Sequence, residues 1–112
     1  MEITSLNNPI IKAVAELKKK KARVEQGMLI AEGLRTVEEA VASKSVAQIF
    51  YTAIDDDRTR AVLETAAEKN IPLYCVTEPI MKKIADTDNP QGILAVCRMQ
   101  QVKLESLFAS GE

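Results

Sequence analysis

Residues 28–40 read MLIAEGLRTVEEA. A short apolar run stops at Glu32-Gly33 and passes without a spacer into a segment where Leu34, Val37 and Val41 fall at helical spacing. A strand feeding directly into a helix is therefore expected. Similar units recur along the chain. Strands are expected over Met28 to Ala31, Val46 to Thr52, Ile71 to Val76 and Ile93 to Met99, each rich in Val, Ile, Leu or Tyr and bounded by turn residues. Their apolar runs are mostly continuous rather than alternating, as suits strands covered on both faces. A first helix is expected from Asn8 as N-cap, with Pro9 at the first helical position, to Gln26-Gly27, where glycine suits a left-handed C-terminal cap. Three more follow, over about 34–43, 58–69 and 78–85, the last capped by Thr77. The order αβαβαβαβ predicts an α/β fold, a three-layer α/β/α sandwich around a four-stranded sheet.

With 112 residues, 46% hydrophobic and 28% charged, the chain has the composition of one globular domain able to bury a core without staples. It contains no apolar run long enough to span a membrane, so no membrane partner is expected. Cys75 and Cys97 lie in apolar, β-rich stretches and read as reduced core residues. The start MEITSLNNP lacks the pattern of a signal peptide, and a cytoplasmic location is expected. Net charge is −1 but polarised: residues 1–35 carry seven basic and four acidic groups, the remainder eight basic and twelve acidic. One basic face, suited to a polyanion, follows from that asymmetry.

Histidine is absent, which removes the commonest general base and most zinc sites. No GxGxxG or GxxxxGK[ST] loop is present either, so no catalytic residue, metal or bound cofactor is expected in this chain. The triplet Asp55-Asp56-Asp57 reads more simply as the start of the third helix than as a metal or phosphoacceptor site.

The stretch LKKKKARVEQG, residues 17–27, invites a binding role. On one continuous helix, at about 100° per residue, Ile10, Val14, Leu17 and Val24 form an apolar face, with Lys12, Lys19 and Arg23 as a basic stripe opposite. Lys21 then projects beside the apolar face, so either it snorkels or the helix turns before it. A merely solvated helix face is the competing reading of the run. At the Glu32-Gly33 corner, Gly33 permits a tight turn, and Arg35 and the helix N-terminus suit a phosphate or ribose oxygen. Glu32 caps that helix or accepts from an RNA hydroxyl or base amine. In the turn Asn89-Pro90-Gln91-Gly92, the Gln91 amide satisfies local backbone or faces a ligand.

Four segments together resemble a known family: IxSxxNPxIK at residues 3–12, KxRxxxG at 21–27, EGxxxVxEA at 32–40 and NPQGILAV at 89–96. Their order and spacing are similar to those of the substrate-binding domain of SpoU/TrmH-type RNA 2′-O-ribose methyltransferases. The resemblance implies a fold like that of the ribosomal protein L30e, with a mixed sheet. It also implies that residues 1–100 hold structured RNA, with ribosomal RNA the expected class, for a separate knotted catalytic domain that binds S-adenosylmethionine. Residues 101–112 would begin the linker to that domain, which would also make the parent enzyme a homodimer, while this fragment alone would be a monomer. Asn8, Lys12, Arg23, Glu32, Gly33 and Gln91 are the positions it carries over as RNA-facing or site-shaping; Lys19 and Arg35 join them from the charge and corner readings. Met28-Leu29-Ile30 stands where the family more often has an aromatic, which weakens base stacking as a mode of recognition. A protein-docking domain without RNA affinity is the alternative from another class, and a small enzyme built on the Asp triplet a third.

Overall fold

The computed structural model describes residues 1–87 and 91–99. The chain runs β1 (Glu2–Ile3), α1 (Pro9–Glu16), α2 (Lys20–Gln26), β2 (Met28–Glu32), α3 (Leu34–Ala42), β3 (Val46–Tyr51), α4 (Asp57–Glu68), β4 (Leu73–Val76), α5 (Glu78–Ile84) and β5 (Ile93–Arg98). One mixed sheet has the order β1-β4-β3-β5-β2. β1, β4 and β3 are parallel, whereas β5 is antiparallel to both of its neighbours, β3 and β2. The C-terminal ends of β1 to β4 and the start of β5 therefore share one end of the sheet.

Two apolar layers flank that sheet. On one face α1 and α5 supply Ile11, Val14, Ile80, Met81 and Ile84, packed on Phe50, Leu94 and Val96. On the other, α3 and α4 supply Val37, Val41, Leu63 and Ala66, packed on Ile49, Ala95 and Cys97. The three-layer α/β/α sandwich thus stands. Alternation along β5 divides it between the layers, and all of Ile93 to Cys97 is buried. In β3, a register shift between Val46 and Gln48 lets Val46 and Ile49 share a face although they lie three apart, as a β-bulge allows. Phe50 stacks on Tyr74 with ring centroids 5.1 Å apart.

The expected four-stranded sheet has a fifth strand. β1 has only two residues and one buried side chain, Ile3, too short to show a period; it pairs in parallel with β4, whose Cys75 amide also donates to the Met1 carbonyl at 2.8 Å. The remaining elements lie within two residues of their expected bounds. Asn8 caps α1, accepting from the Ile10 amide at 2.8 Å. Asp56 and Thr77 cap α4 and α5, and Gly27 closes α2 at φ +67°. The Asn89-Pro90 part of the last turn and residues 101–112 lie outside the described residues.

The first helix is corrected in a way that matters more. It is two helices, α1 and α2, broken at residues 17–19. The Leu17, Lys18 and Lys19 amides donate to the carbonyls three residues back, tightening the end of α1, and Lys19 is then extended at ψ 132°. Arg23 fastens the break: its Nη1 donates to the Leu17 and Lys18 carbonyls, both at 3.0 Å, satisfying acceptors that a helix end leaves open. Leu17 is buried, but Val24 is 63% exposed and belongs to no apolar face. Of the two outcomes for Lys21, the chain turns before it. Leu17→Ala is expected to cost about 2–5 kcal/mol in urea denaturation and Val24→Ala less than about 0.5 kcal/mol; a continuous helix would make both costly.

Cys97 is buried and Cys75 half-buried; both are free thiols. Burial raises the pKa of Cys97, which keeps it unreactive at neutral pH. Two carboxyls, the exposed Asp56 and the partly exposed Glu38, shift the other way. Hydrogen bonding from the Thr59 amide lowers the pKa of Asp56, and hydrogen bonding from Arg58 lowers that of Glu38. Each contributes stability that is complete above its ordinary value, 3.8 or 4.5, and is lost as pH falls through the lower folded value. The Asp56→Asn, Glu38→Gln double variant should therefore lose less stability than the parent on acidification below about pH 5. Urea midpoints compared between neutral and acidic buffer read that difference.

Candidate nucleic-acid interface

Ligands of open α/β sheets gather outside the carboxyl ends of the strands. At that end β2 finishes in Glu32, and Gly33 bonds back to β5 through its amide and the Ile93 carbonyl, 3.1 Å. Gly33 sits at φ +92° and ψ 150°, backbone space that essentially only glycine occupies. A Cβ there would stand 3.0 Å from Oε1 of Gln91, so the amide of Gln91 lies directly over the glycine. Gln91 also lines a 360 Å³ hollow with Thr52, Asp55, Glu78, Met81, Lys82 and Gly92. Gly33 is the N-cap of α3 and supplies no side-chain acceptor, which leaves the first-turn amides of that helix uncapped. Arg35 stands in this turn, 86% exposed and only 3.8 Å from Glu39, a loose pair.

Glu32 neither caps α3 nor points away from the protein. Its carboxylate accepts from the Asp86 amide and from Oγ1 of Thr87 at 3.0 Å, tying the segment after α5 to the end of the edge strand. It also lines a second hollow, of 420 Å³, with Leu17, Lys18, Arg23, Leu29, Ile30, Asp86 and Thr87. Arg23 and Glu32, nine residues apart, are thus brought to one groove, each already fastening backbone.

The helix break dissolves the expected basic stripe. Lys19 lies in the turn, paired weakly with Glu16 at 3.5 Å, whereas Lys12 is exposed on α1 and Arg23 folds back on the break. A broader polarity replaces it. The α1, α2 and α5 layer carries Lys12, Lys18 to Lys21, Arg23, Lys82 and Lys83 against Glu16, Glu25 and Glu78, while α3 and α4 carry more acidic than basic residues. Two of these lysines brace the layer: Lys18 Nζ donates to the Lys83 carbonyl at 2.9 Å, and Lys83 Nζ to the Leu6 carbonyl at 3.1 Å. Lys82, Lys83 and Thr52 escaped the sequence reading, since only the fold shows that α5 lies beside α1 and that β3 ends beside Gln91.

Two members of the Asp triplet make local contacts, while Asp55 lines the hollow beside Gln91. Asp56 accepts from the Thr59 amide at 2.7 Å and Asp57 faces Arg60 at 3.8 Å. Among the described residues no cluster of three or more His, Cys, Asp or Glu side chains is placed to hold a metal.

This architecture is shared with a crystal structure of an RNA 2′-O ribose methyltransferase, at TM-score 0.76 and 32% identity over 88% of this chain and 38% of the other. The class is thus the α/β domain carried by such RNA methyltransferases. More closely, the chain belongs to the MRM3-like substrate binding domain family, whose model matches residues 8–95. It is 31% identical over 100 residues to an uncharacterized tRNA/rRNA methyltransferase of Synechocystis sp., covering 88% of this chain and 36% of that protein. It is 32% identical over 103 residues to the 23S rRNA (guanosine(2553)-2′-O)-methyltransferase RlmP of Bacillus subtilis, covering 92% and 40%. The chain therefore spans well under half the length of the curated relatives it matches.

Gly33→Ala is expected to destabilise the domain by about 1–3 kcal/mol. Adding Gln91→Ala should recover little of it, because the cost lies in the backbone and not in the contact with a flexible amide. Urea denaturation of the single and double variants separates the two contributions; full recovery would place the cost in the contact.

Proposed function

We propose that this domain grips ribosomal RNA for 2′-O-ribose methylation by a catalytic domain carried elsewhere in the same protein. The observation that carries the proposal is membership of a substrate-binding family over nearly the whole described fold. The basic layer of α1, α2 and α5 supplies the physical means. Lys12, Lys19 and Lys82 are exposed on this layer, placed to neutralise phosphates at modest desolvation cost. At the strand ends Gln91, Arg35 and the uncapped start of α3 offer donors to a phosphate, a ribose hydroxyl or a base edge. Asn8, Arg23, Glu32 and Gly33 act by shaping: they cap α1, fasten the helix break, tether residues 86–87 and admit the turn under Gln91.

In this reading S-adenosylmethionine, the methyl donor, belongs to the catalytic domain, through which the parent enzyme dimerises in the cytoplasm; this domain by itself is monomeric. The Lys12→Glu, Lys19→Glu, Lys82→Glu variant tests the grip by fluorescence anisotropy on a structured ribosomal RNA fragment over a salt series. Affinity should fall about tenfold or more at low salt, with the slope of log K against log salt shallower by about 0.7–0.9 per lost contact. Arg60→Glu, on the α4 side, should change little. Equal binding by the parent and the triple variant would remove the basic layer from the interface; a folded parent that binds no RNA would favour protein docking.

A further inference from the structure

The end of the sheet opposite the strand carboxyl ends carries a second concentration of positive charge. A 510 Å³ hollow there is lined by Lys44, Lys69, Asn70 and Arg98, with Val46, Ala47, Ile71 and Pro72 as its apolar wall. No carboxylate lines it among the described residues, and none of its three cations takes part in an ion pair among them. Two are already aimed: Lys69 Nζ donates to the Val41 carbonyl and Arg98 Nη1 to the Val46 carbonyl, each at 3.0 Å. Carbonyls fix the position of these groups without cancelling their charge, and each keeps further donors for a ligand.

The simplest account is that these residues offset the C-terminal dipoles of α3 and α4, which end here. Each helix end is equivalent to roughly half a negative charge, so the pair offsets about one of the three cations and leaves about two unbalanced. Lys44 follows α3 at φ +63°, where glycine is the relaxed residue. Asn70 takes the same φ after α4, with less strain because its short amide tolerates that region.

We propose that this hollow is an anion site that receives one phosphate group, held by Lys44, Lys69 and Arg98. Its source is either an RNA phosphodiester or free phosphate, and the site stands apart from the lysine layer of α1, α2 and α5.

The test is an amide NMR titration of the full chain with inorganic phosphate, against sodium chloride at equal ionic strength. Phosphate-specific shifts are expected at Lys44, Ser45, Asn70 and Arg98. Lys44→Gly should relieve the positive φ, so its melting temperature should be unchanged or higher, yet its phosphate affinity should drop about two- to fivefold, as for loss of one exposed ion pair. Absence of shifts, equal shifts with chloride, or unaltered affinity in folded Lys44→Gly would each overturn the site. Repeating the titration with the RNA fragment identifies the source: shifts at these amides assign a phosphodiester, and shifts confined to the lysine layer assign free phosphate. The Lys12→Glu, Lys19→Glu, Lys82→Glu variant should keep its response to inorganic phosphate even where RNA binding is lost, so failure of either site is visible without the other.

Discussion

Burial of β5 on both faces is the constraint on which the other elements depend. The strand lies between β3 and β2 and runs against both, so its start meets the ends of the strands that lead into Gly33 and Thr52. Its residues alternate between the two apolar layers, Leu94 and Val96 toward α1 and α5, Ile93, Ala95 and Cys97 toward α3 and α4. A shift of one residue in its register would exchange every one of those contacts. Both neighbours are held to it by ladder hydrogen bonds, and the Thr52 amide to Gly92 carbonyl bond, 3.0 Å, continues the pairing past the strand into the candidate site. Gln91 directly precedes that pairing, and its side chain lies over Gly33.

Much of this was legible because continuous apolar runs and cap residues are local signals. The four long strands, the caps Asn8, Asp56 and Thr77, and the glycine that closes α2 are all written within a few residues of where they act. β1 was not legible: its two residues are a strand only because β4 offers an edge seventy residues later. The break between α1 and α2 was half legible. Lys21 conflicts with an uninterrupted apolar face, which signals a turn, but the fastening of that turn by Arg23 is a contact to two carbonyls that no periodicity reveals.

The candidate site shows the same division. Glu32, Gly33 and Gln91 stand out in the sequence as a corner and a turn, and the fold brings them together through β5. Their roles were not legible, since a glutamate next to a helix start reads as a cap, whereas here its partners are the Asp86 amide and the Thr87 hydroxyl, more than fifty residues on. The lysine run misleads for a related reason. Adjacency in sequence places the charges on a broken helix, while Lys82 and Lys83, far along the chain, complete the basic layer because α5 packs on α1.

Division of labour between the two kinds of polar residue follows from these contacts. Asn8, Arg23 and Glu32 bond backbone groups of the helix start, the helix break and the segment after α5, so truncating any of them loosens the shape of the surface. Lys12, Lys19 and Lys82 have no such duty; their charges face solvent, where a polyanion can approach against no more than the weak, exposed Lys19–Glu16 pair. A substrate-binding domain draws on both sets. The first holds the surface in one geometry at little cost on binding, and the second supplies attraction that is long-ranged and insensitive to sequence. Under the proposed grip on RNA, selectivity falls to the strand-end corner, where Gln91 lies on a glycine whose conformation no other residue adopts without strain.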